Sequence, residues 1–254
     1  QAKGFYEVGT KPKFDVTKAE VDLSNAKVNL IKAGNSLKIS RVNLNIAMGV
    51  PEAPEFPVED NLIFQKYEVA LEEAVSKAFG DRPDLKSAIE KKRSANENVE
   101  LAKRNYYPVL SGSAAYNLSG ESFPLEQGWN VGASITVPIF SGFLTKYQVE
   151  EARANLNAAN ANEELLRQTV IFEVQQAYLN LKEAQERVPA AELAVRQAAE
   201  NLELANARYA TGVGNPIEST DAVVAYSNAR LAFFQALSDY KIAQADLEKS
   251  VGGR

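Results

Sequence analysis

Glu218 and Asp221 are the residues of this 254-residue chain that best suggest a functional site, since they follow a predicted helix reversal at residues 211–215. Residues three positions apart share one face of a helix, so both carboxylates point the same way. The groups an enzyme would need are missing. The chain has no histidine and no cysteine, and no serine stands beside a plausible base. The sequence therefore predicts a non-enzymatic protein without a cofactor or metal site.

The same carboxylates also have a purely structural interpretation. Asn215 can cap the following helix, Pro216 suits its first position, and Glu218 stands three residues after the cap, as in a capping box. Asp221 near that end favours the helix dipole. Capping is compatible with a functional role. The segment 212–214 is also a fragment of a dinucleotide fingerprint, but it follows a helix and lacks the third glycine, so we discount it.

The first and last fifty residues of the chain repeat each other. At an offset of 203 residues, without a gap, the two segments match at the following pairs: Tyr6 and Tyr209, Gly9 and Gly212, Asp15 and Glu218, Ser24 and Ser227, Gly49 and Gly252. Such self-similarity predicts that one structural unit occurs twice. Since one repeat and only the tail of another are present, we expect Gln1 to lie well inside a longer parent protein.

The repeated unit contains a helix whose small residues recur every seven positions, with a large residue four positions after each. The late copy has Ala222, Ala229, Ala236 and Ala243 with Tyr226, Phe233, Tyr240 and Leu247, and the early copy has Ala19, Ala26, Ala33 and Ser40 with Leu23, Leu30, Leu37 and Leu44. Residues 143–210 carry the same seam, although Pro189 predicts a kink or a junction there. This spacing is typical of knobs-into-holes packing between closely spaced helices. A helix of 143–210 would be on the order of 100 Å long, so it must lie against other long helices of this chain and of its copies.

Residues 108–142 predict a β-hairpin between two helices. Apolar residues alternate with small polar ones in both arms: Leu110, Gly112, Ala114, Tyr116 and Leu118 in the first, and Trp129, Val131, Ala133, Ile135, Val137 and Ile139 in the second. A period of two indicates strands, and about ten residues per arm suits a strand that crosses a membrane. An ordinary soluble hairpin is the alternative. Since no apolar run reaches the roughly 18 to 20 residues of a membrane helix, any crossing must be made by strands.

The remaining segments predict connections and short helices. The net charge of -5 argues against a nucleic-acid partner. Residues 51–60 are rich in proline and acid and predict a linker. A short amphipathic helix is expected over residues 67–79, ended by Gly80. Asp81 can then cap a helix with Pro83 in its first turn that runs to about Tyr106.

Several motifs together resemble the outer membrane efflux protein (TolC) family: VPIFSGF, RYATGVGNPIESTDAV, ALEEAVSKAFGDRPDLKSA and the alanine-rich heptads. The resemblance covers essentially the whole chain. It implies a mainly α fold, in which long antiparallel coiled-coil helices form part of an α-barrel and a transmembrane β-hairpin contributes to a trimeric β-barrel. It further implies a homotrimer in the lipid of the cell outer membrane, whose helices extend into the periplasm.

By this resemblance, the protein would be the passive exit duct of a tripartite efflux or type I secretion system. A periplasmic adaptor (membrane fusion) protein and an inner-membrane pump would be its partners, with drugs, toxins and proteins all open as cargo. A trimer of this chain would have six strands where the family's barrel uses twelve. The alternative from the residues is a structural or interaction coiled coil of the cell envelope without channel activity, which explains the heptads but not the strands.

The resemblance also implies where function lies. The channel gate would comprise Glu218, Asp221, Asp15 and Tyr209, with a bond between Tyr209 and Asp15 across the helices. The adaptor-binding tip would comprise Gly9, Thr10, Lys11 and Pro12 with Gly212, Val213, Gly214 and Asn215. In several family members a basic residue at the position of Gly214 locks the mouth, so that lock is absent here. Tight reversals need glycine and proline in any case, which is the simpler reason for these residues.

The predicted organisation is linear. Residues 1–50 would end the first repeat with a periplasmic tip and a returning helix, 51–82 would form an equatorial linker and short helix, and 83–107 a helix that leads to the membrane. Residues 108–142 would form the outer-membrane hairpin, and 143–250 the long periplasmic helical hairpin with its tip at 211–215.

Overall fold

A computed structural model describes residues 1–51, 56–59, 62–121, 123 and 126–253. Within them the elements run in the order α1 (Ala2–Glu7), α2 (Lys13–Ala47), α3 (Leu71–Asp81), α4 (Pro83–Arg104), β1 (Val109–Ser119), β2 (Glu126–Thr136), α5 (Leu144–Ala210) and α6 (Pro216–Ser250). The predicted mainly helical fold with one hairpin is confirmed. The chain divides into two compact units. Unit 1 comprises Gln1–Ile63 and Ala190–Phe234, and unit 2 comprises Phe64–Pro189 and Gln235–Arg254.

The internal repeat is present in the structure down to the helix bounds. Helices α2 and α6 both have 35 residues, and α6 begins and ends 203 positions after α2 does. The matched glycines also share their backbone conformation. Gly9 and Gly212 have φ of 72° and 79°, while Gly49 and Gly252 have φ of 74° and 88°. Glycine adopts this left-handed conformation without the penalty that a Cβ imposes, which explains glycine at both ends of both copies.

Strands β1 and β2 form an antiparallel pair in unit 2 whose register brings the two apolar faces together. Leu110 lies opposite Ile135 and Tyr116 opposite Trp129. Residues directly opposite in an antiparallel pair project from the same face, so the predicted alternation is confirmed. The prediction that the second arm extends to Ile139 was wrong, because β2 ends at Thr136, two residues before Pro138, which has no N–H to donate. Of the predicted loop 120–128, residues 122, 124 and 125 lie outside the described part.

The predicted helical seams of α5 and α6 are mostly covered. In unit 2 the following seam residues are buried: Ala177, Leu181, Ala184, Val188, Ala236, Tyr240, Ala243 and Leu247. In unit 1 Ala205, Tyr209 and Ala222 are buried. The early copy differs, since in α2 the side chains of Leu23, Leu30, Leu37 and Leu44 are exposed. Pro189 lies inside α5 and does not divide it, so the predicted junction of two helices is not formed.

The junction of α3 and α4 corrects two sequence predictions. The short helix begins at Leu71 and includes Gly80, and the cap of α4 is Arg82 rather than Asp81, although Pro83 does occupy the first turn. The Arg82 guanidinium pairs with both Asp84 and Glu173 and also donates to the Ser250 carbonyl. One side chain therefore joins the α3–α4 junction to α5 and to the end of α6. Of the predicted linker 51–60, residues 52–55 and 60 lie outside the described part.

A second ion-pair group joins α4 to α5. Glu163 is 7% exposed and contacts Lys92 at 3.0 Å and Arg167 at 2.9 Å. Hydrogen bonds from Lys92, and then from Arg167, hold the pKa of Glu163 below its usual value. Arg167 also stacks on the ring of Phe79, 5.8 Å from its centroid, which adds α3 to the group. Across the described residues, no helix combines the length and apolarity needed to cross a membrane.

Candidate functional site

The first reversal of unit 1 lies between α1 and α2. Gly9 takes the left-handed conformation, and the backbone N–H groups of Thr10 and Lys11 both donate to the Phe5 carbonyl, at 2.9 and 3.2 Å. The Thr10 hydroxyl donates to the same carbonyl at 2.9 Å. Pro12 then takes an extended conformation as the N-cap of α2. The Phe5 carbonyl near the end of α1 therefore has hydrogen-bond donors, and these bonds define the turn.

The second reversal of unit 1 is tighter. Gly212 is left-handed, and the N–H of Gly214 donates to the Arg208 carbonyl at 2.8 Å. A Cβ at Gly214 would lie 2.8 Å from backbone atoms of both Arg208 and Tyr209, so no larger side chain fits without movement of the backbone. The Asn215 side chain accepts a hydrogen bond from the N–H of Ile217 at 3.0 Å, which confirms its predicted role as the cap of α6.

Tyr209 brings the two reversals together. Its ring is 5% exposed, meets the ring of Phe5 edge-on at 5.6 Å, and has the Lys11 ammonium 5.5 Å from its centroid. Burial, and then the charge of the nearby Asp15, raise the pKa of Tyr209. The buried Tyr209 hydroxyl has no hydrogen-bond partner among the described residues. The bond between Tyr209 and Asp15 that the resemblance implied is therefore not formed here, although the two groups are neighbours.

The two remaining candidate gate residues are exposed at the start of α6. Glu218 pairs with Arg208 at 3.5 Å, and its side chain is 52% exposed. Asp221 is also exposed. Asp15, by contrast, is only 6% exposed. The candidate gate residues thus fall into a buried pair, Asp15 and Tyr209, and an exposed pair, Glu218 and Asp221.

Three contacts of this site were not predicted from the sequence. Lys11 was predicted at the tip but not against Tyr209, and Arg208 was not predicted as the partner of Glu218. Phe5 was not singled out at all. Hydrophobic periodicity gives no signal for such contacts, because they depend on how the two reversals fold. The available signal was a pair of positions: Lys11 stands two residues after Gly9, and Tyr209 stands three residues before Gly212.

The comparison with known proteins identifies the family. The family model described as outer membrane efflux protein matches residues 74–253. The chain belongs to the outer membrane efflux protein family. The predicted resemblance and the predicted outer-membrane location are therefore confirmed, and the proteins of this family are non-enzymatic.

Individual outer-membrane proteins match this chain at modest identity. Outer membrane protein OprJ of Pseudomonas aeruginosa is 28% identical over 177 residues, which is 68% of this chain and 37% of OprJ. Outer membrane protein TolC of Vibrio cholerae is 24% identical over 99% of this chain and 60% of its own length. The chain spans about half the length of the curated relatives it matches.

A solved structure of an outer-membrane channel supports the fold. The open state of the MtrE outer membrane channel of Neisseria gonorrhoeae superimposes with a TM-score of 0.80 and 22% identity, and the match covers 99% of this chain and 60% of that one. At this identity the likeness concerns the fold. It confirms the predicted fold of this chain, which is mainly helical with long helices and one hairpin.

Proposed function

We propose that this chain forms part of the outer-membrane exit duct of a tripartite efflux or type I secretion system. In this proposal it is a passive channel that assembles as a homotrimer, docks to a periplasmic adaptor and receives cargo from an inner-membrane pump. Residues 108–142 lie in the lipid of the outer membrane, and residues 1–50 and 143–250 lie in the periplasm. Residues 51–82 form an equatorial linker and short helix, and 83–107 lead to the membrane.

The hairpin is the observation that carries this proposal. Its paired faces differ in polarity, since Leu110, Tyr116, Trp129 and Ile135 share one face while Ser111 and Ser134 hydrogen-bond to each other at 2.8 Å on the other. All six of these side chains are exposed in the single chain. A face of large apolar side chains left in water is unfavourable, whereas in a bilayer it is covered.

The two reversals suit the periplasmic mouth. We assign the gate to Asp15, Tyr209, Glu218 and Asp221, and adaptor binding to Gly9–Pro12 and Gly212–Asn215. Support comes from the exposed Val213, 76% accessible at the turn, and from the two carboxylates exposed on one stretch of α6. In the trimer, three copies of Glu218 and Asp221 would form an acidic ring that attracts cations.

Trp129 provides the experiment, because it is the only tryptophan of the chain. In lipid vesicles we expect brominated acyl chains to quench its fluorescence. An unquenched Trp129 would refute membrane insertion and favour the alternative of a structural coiled coil in the envelope.

The gate is tested in planar bilayers with Glu218→Gln and Asp221→Asn combined. The variant is expected to lose cation preference, whereas Asp246→Asn, an exposed acid near the other end of α6, serves as the control. Unchanged conductance and cation preference in the double variant would refute the assignment of Glu218 and Asp221 to the gate.

A further inference from the structure

A cleft between α4 and α5 in unit 2 has a strongly basic lining. Its volume is about 420 Å³, and its charged side chains are Lys92, Arg93, Arg167 and Glu163. We call this space the basic cleft. Three cations and one anion line it, although the whole chain has a net charge of -5. A local excess of positive charge between low-dielectric walls attracts anions.

Helix periodicity places the lining side chains on two facing stripes. Lys92 and Arg93 stand four and three residues before Asn96 in α4, and Glu163 stands four residues before Arg167 in α5. Residues three or four positions apart share one face of a helix, so each helix turns one stripe toward the cleft. The cluster therefore lies on two helices rather than on a loop.

Glu163 holds two of the three cations in place. Its side chain is 7% exposed, and the Lys92 ammonium lies 3.0 Å from one of its oxygens. The Arg167 guanidinium donates to the other oxygen from Nε at 3.1 Å and from Nη2 at 2.9 Å, and it stacks on the ring of Phe79 at 5.8 Å. These contacts restrict the rotamers of both cations before a ligand arrives, which lowers the entropic cost of binding one.

Several donors of the basic cleft have no acceptor in the described part of the chain. Neither Arg167 Nη1 nor the Asn96 side-chain amide donates a hydrogen bond to a described residue. Arg93 is 74% exposed and has a contact of 3.9 Å with Glu90, which is also exposed. An exposed ion pair of that length contributes little. Once Glu163 has neutralised one cation, two positive charges and these donors remain at the cleft.

We propose that the basic cleft binds a phosphate monoester that carries an apolar substituent. Two uncompensated positive charges match the dianion that such a phosphate forms near neutral pH, whereas a carboxylate brings only one negative charge. The guanidinium groups of Arg93 and Arg167 have the planar fork that binds phosphate oxygens in pairs. Ile89 and Leu156 supply an apolar side of the cleft, against which the substituent packs. This binding goes beyond the proposed duct and does not depend on membrane insertion of the hairpin.

Phenyl phosphate is the probe, titrated calorimetrically into the full chain at low ionic strength. It should bind more tightly than inorganic phosphate, which lacks the apolar substituent, and more tightly than benzoate, which has a single negative charge. Inorganic phosphate of equal affinity would overturn the apolar contact. Benzoate of equal affinity would overturn the assignment to a phosphate.

Arg93→Gln tests the position of the site. A hydrogen bond from a charged group contributes enough that its loss should weaken phenyl phosphate binding roughly ten-fold. Arg104→Gln is the matched control, because Arg104 is also exposed and lies on the same face of α4, about 16 Å farther along the helix. It should leave the affinity unchanged. Equal loss in both variants would overturn the site, as would no loss in either.

Phenylglyoxal, which modifies accessible arginine side chains, tests the site without any substitution. Saturating phenyl phosphate should slow the modification of Arg93 several-fold and leave that of Arg104 unchanged, as read by peptide mass spectrometry. Protection of both arginines alike, or of neither, would overturn the proposal. The quenching of Trp129 by brominated lipid is a separate measurement, so failure of anion binding and failure of the proposed duct are distinguished.

Discussion

Tyr240 joins an extended segment to α6 through its hydroxyl and through its ring, and Tyr240→Phe removes only the hydroxyl oxygen. Tyr240 is completely buried. Its hydroxyl accepts a hydrogen bond from the N–H of Tyr67 at 3.0 Å and donates one to the carbonyl of Gln65 at 2.6 Å. Phenylalanine keeps the ring and its edge-on contact with Phe64 at 5.0 Å. The substitution therefore leaves two backbone groups without their partner and changes little else.

The magnitude follows from these two groups. Leaving a buried donor or acceptor unpaired costs roughly 1 to 3 kcal/mol, and the bonds here are only partly buried, so we expect about 2 kcal/mol for the pair. At 1.4 kcal/mol per factor of ten, local opening of residues 64–70 should become roughly 30-fold more frequent. Amide hydrogen exchange of Tyr67, followed by mass spectrometry or NMR, measures this directly.

Tyr178→Phe is the matched control. Tyr178 lines the same surface cleft as Lys66 and Tyr67 but belongs to α5 and is not the partner of this backbone segment. It should leave the exchange of Tyr67 within about three-fold of the native rate. If Tyr240→Phe were equally silent, or if both variants accelerated exchange alike, the reasoning from the two hydrogen bonds would be refuted.

Two further predictions concern the second reversal and the α4–α5 ion pairs. Gly214→Ala should raise proteolytic cleavage at residues 211–215, because its Cβ would lie 2.8 Å from the backbone of Arg208 and the turn must open at a cost of about 1 to 3 kcal/mol; unchanged cleavage would contradict this. For Glu163, the lowered folded-state pKa means that its stabilisation is present above the unfolded pKa and is lost as pH falls through the folded pKa. The difference in unfolding free energy between the native protein and Glu163→Gln should therefore shrink between pH 7 and acid, and a constant difference would count against the ion pair with Lys92.

Features that depend on sequence periodicity were predictable. The heptads predicted the buried faces of α5 and α6, including Ala177, Leu181, Tyr240 and Leu247. The two-residue alternation predicted the apolar face of each arm of the hairpin, but the register that sets Tyr116 opposite Trp129 came only from the structure. The repeat predicted that one structural unit occurs twice, and α2 and α6 do have equal length and left-handed glycines at corresponding places. Such patterns are repeated over many residues, so a local exception does not hide them.

Features that depend on a single side chain and a distant partner were not predictable. Arg82 looks like part of a short loop in the sequence, yet it contacts Glu173 and Ser250 far along the chain. Lys11 meets Tyr209 only because both reversals fold to the same place in unit 1. The end of β2 was misplaced because Val137 and Ile139 continue the alternation past Thr136, where Pro138 interrupts hydrogen bonding.

The twin glycines give the molecule an internal reference for measuring what a turn costs. Gly49 and Gly252 have similar φ values. Among the described residues, a Cβ at Gly49 would meet nothing within 4 Å, whereas at Gly252 it would stand 3.0 Å from the backbone at Asp81 and Arg82. Alanine at the first site reports the torsional penalty alone, and alanine at the second reports the same penalty plus steric overlap. The difference between the losses of unfolding free energy in Gly252→Ala and Gly49→Ala, measured in the same protein and the same buffer, is the energetic cost of the steric overlap.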